Sequence, residues 1–309
     1  MPRHIGFGKE SAWDTGVPPT IFLEGLSESI AVVQSNIEVK TMRAISTRAV
    51  DKSGEHWEGP AEFVGNFQEL HNIFYMLLGS VSTTGAGPYT HVIPDAAGAV
   101  DDARKSFTIE VLRGVAGQAF TYTGGILTGL TLECQLGQEM RVGTTWIGAG
   151  HSGPGAATSS SYSTLDVALP RQIAVKIDAA QQHATNFTLT VDWPHDAPEA
   201  LGYTTWVAKP QPNDTLTVNY SFEMLYSDET QYDKFVAGDD VDIQVDIQTA
   251  GDEAFTLNLN KTRFTSFQLP TDGRQRYRAQ IEGMSFYDTD PTENISVTVV
   301  NDKAKADFT

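Results

Sequence analysis

The stretch "NFQELHNIFYMLLG" at residues 66–79 sets Phe67, Leu70, Phe74 and Leu77 near one face at helical spacing and closes on a glycine suited to a helix C-terminus. A weaker echo, "DETQYDKFVAG" at residues 228–238, closes on a glycine in the same place. Superposing Gly79 on Gly238 also superposes the strand residues Phe63 and Phe222, because 238 − 79 and 222 − 63 are both 159. Downstream, "QAFTYT" at Gln118 matches "EAFTLN" at Glu253, and "LTGLTL" at Leu127 lies against "FTSFQL" at Phe264. Upstream, "SIAVV" at Ser29 resembles "QIAVK" at Gln172. One unit of strands around a helix is written twice, and residues 20–148 and 170–300 are expected to superpose.

Around both helices the sequence alternates with period two, as half-buried strands do. The clearest runs are FTIEV at Phe107, LTLECQL at Leu130, LTVNYSF at Leu216, VDIQVDI at Val241, FTLNL at Phe255 and ISVTV at Ile295. They predict a mainly β, antiparallel fold of two tandem β-sandwich domains, each flanked by one α-helix. The first domain spans 1–148 and carries an inserted loop at about 80–105, the first copy's surplus over the second. Residues 149–165, rich in glycine and serine, read as a linker, and 166–309 form the second domain.

Composition bounds the function. The 309 residues include 40% hydrophobic residues, enough for a sizeable core. The N-terminus lacks the apolar core of a signal peptide and no apolar run is long enough to span a bilayer, so a soluble, unexported protein without membrane contact is expected. Cys134 falls in the apolar phase of a strand, as a core residue does. With 21 Lys+Arg against 39 Asp+Glu the net charge is −18, which opposes wrapping nucleic acid by phosphate neutralisation. Both parts share the sign: residues 1–160 hold 10 basic and 16 acidic groups, residues 161–309 hold 11 and 23.

Catalytic chemistry finds little support. The seven histidines are scattered without metal-ligand spacing, and there is no second cysteine. "DWPHDAPE" at Asp192 reads as a proline turn, and "AGDDVDIQVD" at Ala237 lacks the glycine and closing glutamate of a calcium loop. The glycines of "YTGGILTG" at Tyr122 form no phosphate cradle, and "SESI" at Ser27 lacks a hydrolase elbow. Neither an enzyme nor a bound cofactor or metal is expected.

The leader "GKESAWDTGVPPTIFLEGLSESI" at residues 8–30 resembles the start of phage tail tube proteins of long-tailed bacteriophages. Lys9-Glu10, Pro19-Thr20, Phe22-Leu23 and Ser27-Glu28-Ser29 match as they stand, while the family's Gly-Thr order appears here as Thr15-Gly16. The resemblance is clear over residues 6–148 and reaches the second half through the repeat. It implies rings stacked into a hollow tube that encloses a tape-measure protein, conducts DNA without binding it specifically, and meets tail terminator and baseplate proteins. It also implies a virion location after synthesis in the bacterial cytoplasm. Six-fold rings in the family make a duplicated chain close as a trimer with pseudo-six-fold symmetry, its strands joining an inter-subunit β-barrel. Other virion or secretion-tube components of the same fold (baseplate, tail terminator, decoration) remain alternatives, as does a carbohydrate-binding β-sandwich.

Two groups of residues are assigned on this reading. The long connection at residues 41–60 is expected to be a charged ring-to-ring arm, with Arg43, Arg48, Asp51, Lys52, Glu55 and Trp57 as contacts. Glu38, Glu62, Glu110, Glu223, Asp242 and Asp246 lie on the polar phases of strands and are the candidates to line an acidic bore, since a basic wall would trap DNA.

Overall fold

The computed structural model describes residues 3–40, 49–94, 105–114, 118–198, 203, 205, 206, 208–249, 251–270, 277–286 and 294–304. It is mainly β. The first half contains β1 (Arg3–Lys9), β2 (Ile21–Leu23), β3 (Gly25–Glu28), β4 (Ala31–Val39), β5 (Ala49–Val64), α1 (Leu70–Leu78), β6 (Ser82–Thr84), β7 (Tyr89–Ile93), β8 (Phe107–Arg113), β9 (Ala119–Gln135), β10 (Arg141–Gly148) and β11 (Gly150–Gly155). The second contains β12 (Ile173–Ile177), β13 (Ala180–Gln182), β14 (Ala184–Asp192), β15 (His195–Asp196), β16 (Gln211–Pro212), β17 (Thr217–Leu225), α2 (Thr230–Ala237), β18 (Val241–Gln248), β19 (Ala254–Gln268), β20 (Arg278–Ser285) and β21 (Ser296–Asn301). All strand ladders are antiparallel.

Two long strands organise the halves. The N-terminal part of β9 pairs with β8 and β11, while its C-terminal part pairs with β10 and β14. The layer β2–β1–β8–β9 therefore faces the layer β3–β5–β10–β9 across a core in which Phe7 meets Phe63 at 5.8 Å and Trp146 at 5.4 Å between ring centroids. β19 plays the same part, pairing first with β18 and β21 and then with β20.

Much of the pairing scheme recurs in the second half, although the hairpin β6–β7 has no counterpart among the described residues there. β1, β2, β8 and β11 correspond to β12, β13, β18 and β21, and β3, β5 and β10 correspond to β14, β17 and β20. The irregularities repeat too: ladders skip Leu26 in β3 and Thr185 in β14, and Thr128 in β9 and Thr265 in β19. These registers set Leu127 against Phe264, as the sequence match does, but they set Phe63 against Met224 and Phe120 against Leu257, each two residues from its expected partner, Phe222 and Phe255. They reject the match of "SIAVV" with "QIAVK", because Ala31–Val39 pairs with β5 whereas Ile173–Ile177 pairs with β18 and is the counterpart of β1. Short apolar runs resemble one another whichever layer they enter.

Three other expectations change. Residues 150–155 of the supposed linker form β11 on β9, and Thr158 donates to Glu110 through both its amide and its hydroxyl, so this stretch belongs to the first half. The insertion at about 80–105 contains the hairpin β6–β7, and β7 pairs with β21 of the second half; residues 95–104 lie outside the described ones. Together with the β9–β14 ladder, which runs from Asn186 opposite Gln135 to Asp192 opposite Gly129, this pairing joins the halves into one sheet system. Trp57 is fully buried, its indole N–H donating to the Thr123 carbonyl at 2.9 Å. A side chain at Gly148 would strike that ring, since a Cβ there would stand 2.3 Å from it.

Candidate assembly surfaces

The layer β3–β5–β10–β9–β14–β17–β20–β19 buries alternate side chains and leaves the others uncovered. Val142, Leu130, Leu132, Leu189, Val191, Phe222 and Ile281 face the core. Their neighbours Arg141, Thr131, Glu133, Thr188, Asp192, Glu223, Arg278 and Glu282 face outward. Two expected bore residues fall on this polar face at equivalent positions. Glu62 accepts from Arg141 at 3.4 Å and from the Ser27 hydroxyl at 3.1 Å. Its counterpart Glu223 accepts from Arg278, the counterpart of Arg141, at 2.6 Å and from the Thr185 hydroxyl at 2.8 Å. Burial raises the Glu223 pKa, but the Thr185 hydroxyl and the Arg278 guanidinium outweigh it and hold the carboxyl below its ordinary value. Glu133, Asp192 and Glu282, which sequence reasoning passed over, stand exposed on the same face. Among the described residues the layer has two strands with an open side: β3 pairs only with β5, and the stretch of β19 beyond Thr262 only with β20.

The other expected bore residues lie elsewhere. Glu110 is 5% exposed, bound to His4 at 2.8 Å and to Thr158, so it cannot line a channel from within the fold. Asp242 and Asp246 sit on β18 in the other layer. Asp246 bonds Lys176 at 2.5 Å; burial raises its pKa, but the bonds from Lys176, Gln244 and Thr256 together outweigh that and hold it below its ordinary value. Burial, then the nearby Asp178 charge, raises the pKa of Asp242. Glu38 is exposed near the end of β4, within 3.0 Å of Lys40.

The expected arm is a two-stranded hairpin. β4 and the first part of β5 pair from Val32 opposite Trp57 to Val39 opposite Ala49. Asp51 and Lys52 are exposed, Glu55 is half-buried beside Lys52, and the Lys52 ammonium lowers the Glu55 pKa. Ile37 is 58% and Val50 61% exposed. A two-stranded ribbon with apolar side chains in water is marginal by itself. Trp57, expected as a ring-to-ring contact, is buried at the base of the hairpin instead, and Arg43 and Arg48 lie outside the described residues. A smaller hairpin, β15–β16, occupies the corresponding place between β14 and β17.

The leader has a structural task that its sequence did not disclose. Glu10, 2% exposed, accepts from the Ser106 and Thr108 hydroxyls at 2.6 and 2.9 Å and from the Gly124 and Asp14 amides at 2.9 and 3.0 Å. One carboxylate thereby ties the leader to β8, β9 and the segment before β8. Cys134 is buried, and burial, then the nearby Glu133 charge, pushes its thiol up to about 12, which keeps it a neutral core side chain. No group of three metal-ligating side chains occurs among the described residues, and none of their helices is long and apolar enough to cross a membrane.

Among the described residues the fold leaves open strand edges, a projecting ribbon and a long uncovered polar face, and unpaired strand edges are sites where another chain can pair. The family model for phage tail tube proteins matches residues 3–294, nearly the whole chain, and the chain belongs to that family. It is a structural component of the bacteriophage virion, from a family that assembles into the tail tube with other tail components. No curated protein matched it significantly.

Proposed function

We propose that three copies of this chain close a ring of pseudo-six-fold symmetry, and that stacked rings form a tube that encloses the tape-measure protein and conducts genomic DNA during ejection. The observation that carries this reading is the layer shared by the two halves, with polar side chains along one uncovered face and an open strand at each end. A curved sheet that continues from copy to copy closes as a barrel, removing every edge. Its uncovered face becomes the bore, where Arg141 and Arg278 compensate Glu62 and Glu223 while Glu133, Asp192 and Glu282 leave an acidic excess. Repulsion between such a wall and phosphates within a Debye length, ~8 Å at physiological salt, keeps the moving genome from adhering. The function needs no catalysis or cofactor.

The hairpin β4–β5, with Asp51, Lys52 and Glu55 on one chain segment and Ile37 and Val50 beside them, serves as the ring-to-ring contact. Tail terminator and baseplate proteins meet the two ends of the tube. The polypeptide is made in the host cytoplasm and ends in the virion. Negative-stain microscopy and native mass spectrometry of the purified protein test the reading. Rings or tubes of uniform bore with three chains per ring are expected, and rings of six chains contradict it.

A further inference from the structure

The joint between the two halves supplies a template for a joint between two copies. In the chain, β9 pairs with β14, so that Leu130 opposes Val191 and Leu132 opposes Leu189 on the core side, while Thr131 opposes Thr190 on the polar side. The counterpart of β9 is β19, whose stretch Ser266–Gln268 pairs with β20 on one side only. The counterpart of β14 is the run from β3 into β4, which pairs with β5 on one side only. Transferring the ladder through the matched registers sets Phe267 opposite Val32 and Leu269 opposite Ile30 on the core side, with Gln268 opposite Ala31 on the polar side. The side chains agree with that register. Phe267 and Val32 are partly buried apolar groups at the core margin, and Leu269 is 37% exposed.

Two further features agree. The ends of β9 and β14 meet at a pocket of about 50 Å³ lined by Cys134, Leu136, Val175, Ala184 and Phe187. The equivalent place beside β3, lined by Arg3, Ile5, Gly25, Leu26, Glu28 and Arg113, is an open groove of about 440 Å³ with no strand corresponding to β9 in it. The edge is also guarded. Arg113 donates to both carboxylate oxygens of Glu28 at 2.8 and 2.9 Å and to the Ile30 carbonyl at 2.6 Å, while Glu28 accepts from the Ile30 amide at 3.2 Å. Both outward backbone groups of Ile30, those a new strand would engage, are thereby held by one ion pair, with the Tyr122 hydroxyl also donating to the carbonyl at 3.3 Å. At the covered joint the corresponding positions are the apolar Phe187 and Ile247. Charged groups on an unpaired edge are a common device against indiscriminate strand addition.

We propose that β19 of one copy adds antiparallel to the β3–β4 run of the next copy in this register, displacing the Arg113–Glu28 latch from Ile30. The proposal rests on the ring reading above and names its partner surface, a second copy of this chain. Cysteines at Ala31 and Gln268 test it. In the template, the amides of Trp193 and Leu136 donate to Thr128 and Thr185, which makes Thr131–Thr190 a narrow, non-hydrogen-bonded pair. The transferred pair Ala31–Gln268 is therefore close enough for a disulfide. With Cys134 buried, the Ala31→Cys, Gln268→Cys double variant should give covalent trimers on oxidation, and each single variant none.

Rings that assemble but cross-link instead through Val33→Cys with Gln268→Cys, or through neither pair, overturn this joint and leave the tube reading standing. Failure of the unmodified chain to form any ring or tube overturns both. For the latch, Arg113→Ala and, independently, Glu28→Gln should lower the concentration at which assembly begins several-fold without altering the fold seen by circular dichroism. An onset that is unchanged or raised in both removes the latch.

Discussion

α1 and α2 occupy equivalent places, and both end on a left-handed glycine, Gly79 at φ 86° and Gly238 at φ 73°. Every residue of α1 is buried, whereas α2 buries only Gln231 and leaves Tyr232 42% and Val236 65% exposed. The difference is one of cover. The strands β7 and β21 pack on α1, and the Phe74 ring lies 5.7 Å from Phe255 of β19, while α2 rests chiefly on β19. The first half is thus completed by the second. The second half ends in an exposed helix and an open β19, the surfaces that the corresponding part of another copy would complete.

The largest test of that contrast is mutational. In the unassembled chain, Phe74→Ala should cost about 3–5 kcal/mol, because it opens a cavity in the joint between the halves. Val236→Ala should stay within about 0.5 kcal/mol, as an exposed position does. Urea unfolding measures both, and equal losses would break the contrast. Next comes the leader. Among the described residues the second half buries no carboxylate, so Glu10→Ala should remove about 3 kcal/mol by stranding the hydroxyls and amides that converge on Glu10, with unfolding again the readout.

A third test uses acid. His71 on α1 stacks on His91 of β7 at 4.3 Å, and its Nε2 has no hydrogen-bond partner among the described residues. Burial, then the neighbouring His91, lowers its pKa well below 6.5, so the fold holds it neutral while the unfolded chain protonates it. A depressed folded pKa gives stability that is present above the unfolded value and lost as pH falls below about 6.5. The loss approaches 1.4 kcal/mol per pH unit for one proton. His71→Leu should flatten that slope; α2 contains no histidine and contributes none of it. The smallest expected effect is that of the two matched ion pairs. Arg141→Ala and Arg278→Ala should each shift the thermal midpoint slightly, Arg141→Ala somewhat more because Arg141 also donates to Glu139 at 2.9 and 3.1 Å. A large shift from either substitution would contradict the weak contribution expected of such partly exposed ion pairs.

Much of this organisation is legible in the sequence, and the rest is hidden for physical reasons. The glycine-ended helices and the Leu127–Phe264 match locate the repeat because capping and alternation are local. Alternation states that Asp242 and Asp246 face away from a core, but not which layer holds their strand, and so it ranked them with Glu62 and Glu223. Nothing local in the sequence groups Glu133, Asp192 and Glu282, because only the registers of β9, β14 and β20 bring them onto one face. Trp57 reads as a contact residue of a charged connection until the length of β5 and its burial place it at the base. Glu10 carries no local sign that its four donors come from places as distant as Gly124.

Hydrogen exchange, compared between the unassembled chain and assembled tubes, tests the central claim most directly. The account predicts new protection at residues 264–269, at residues 27–33 and over α2, with little change over α1 and the β9–β14 ladder, which are already covered. Tubes in which residues 264–269 and 27–33 exchange as fast as in the free chain would contradict it.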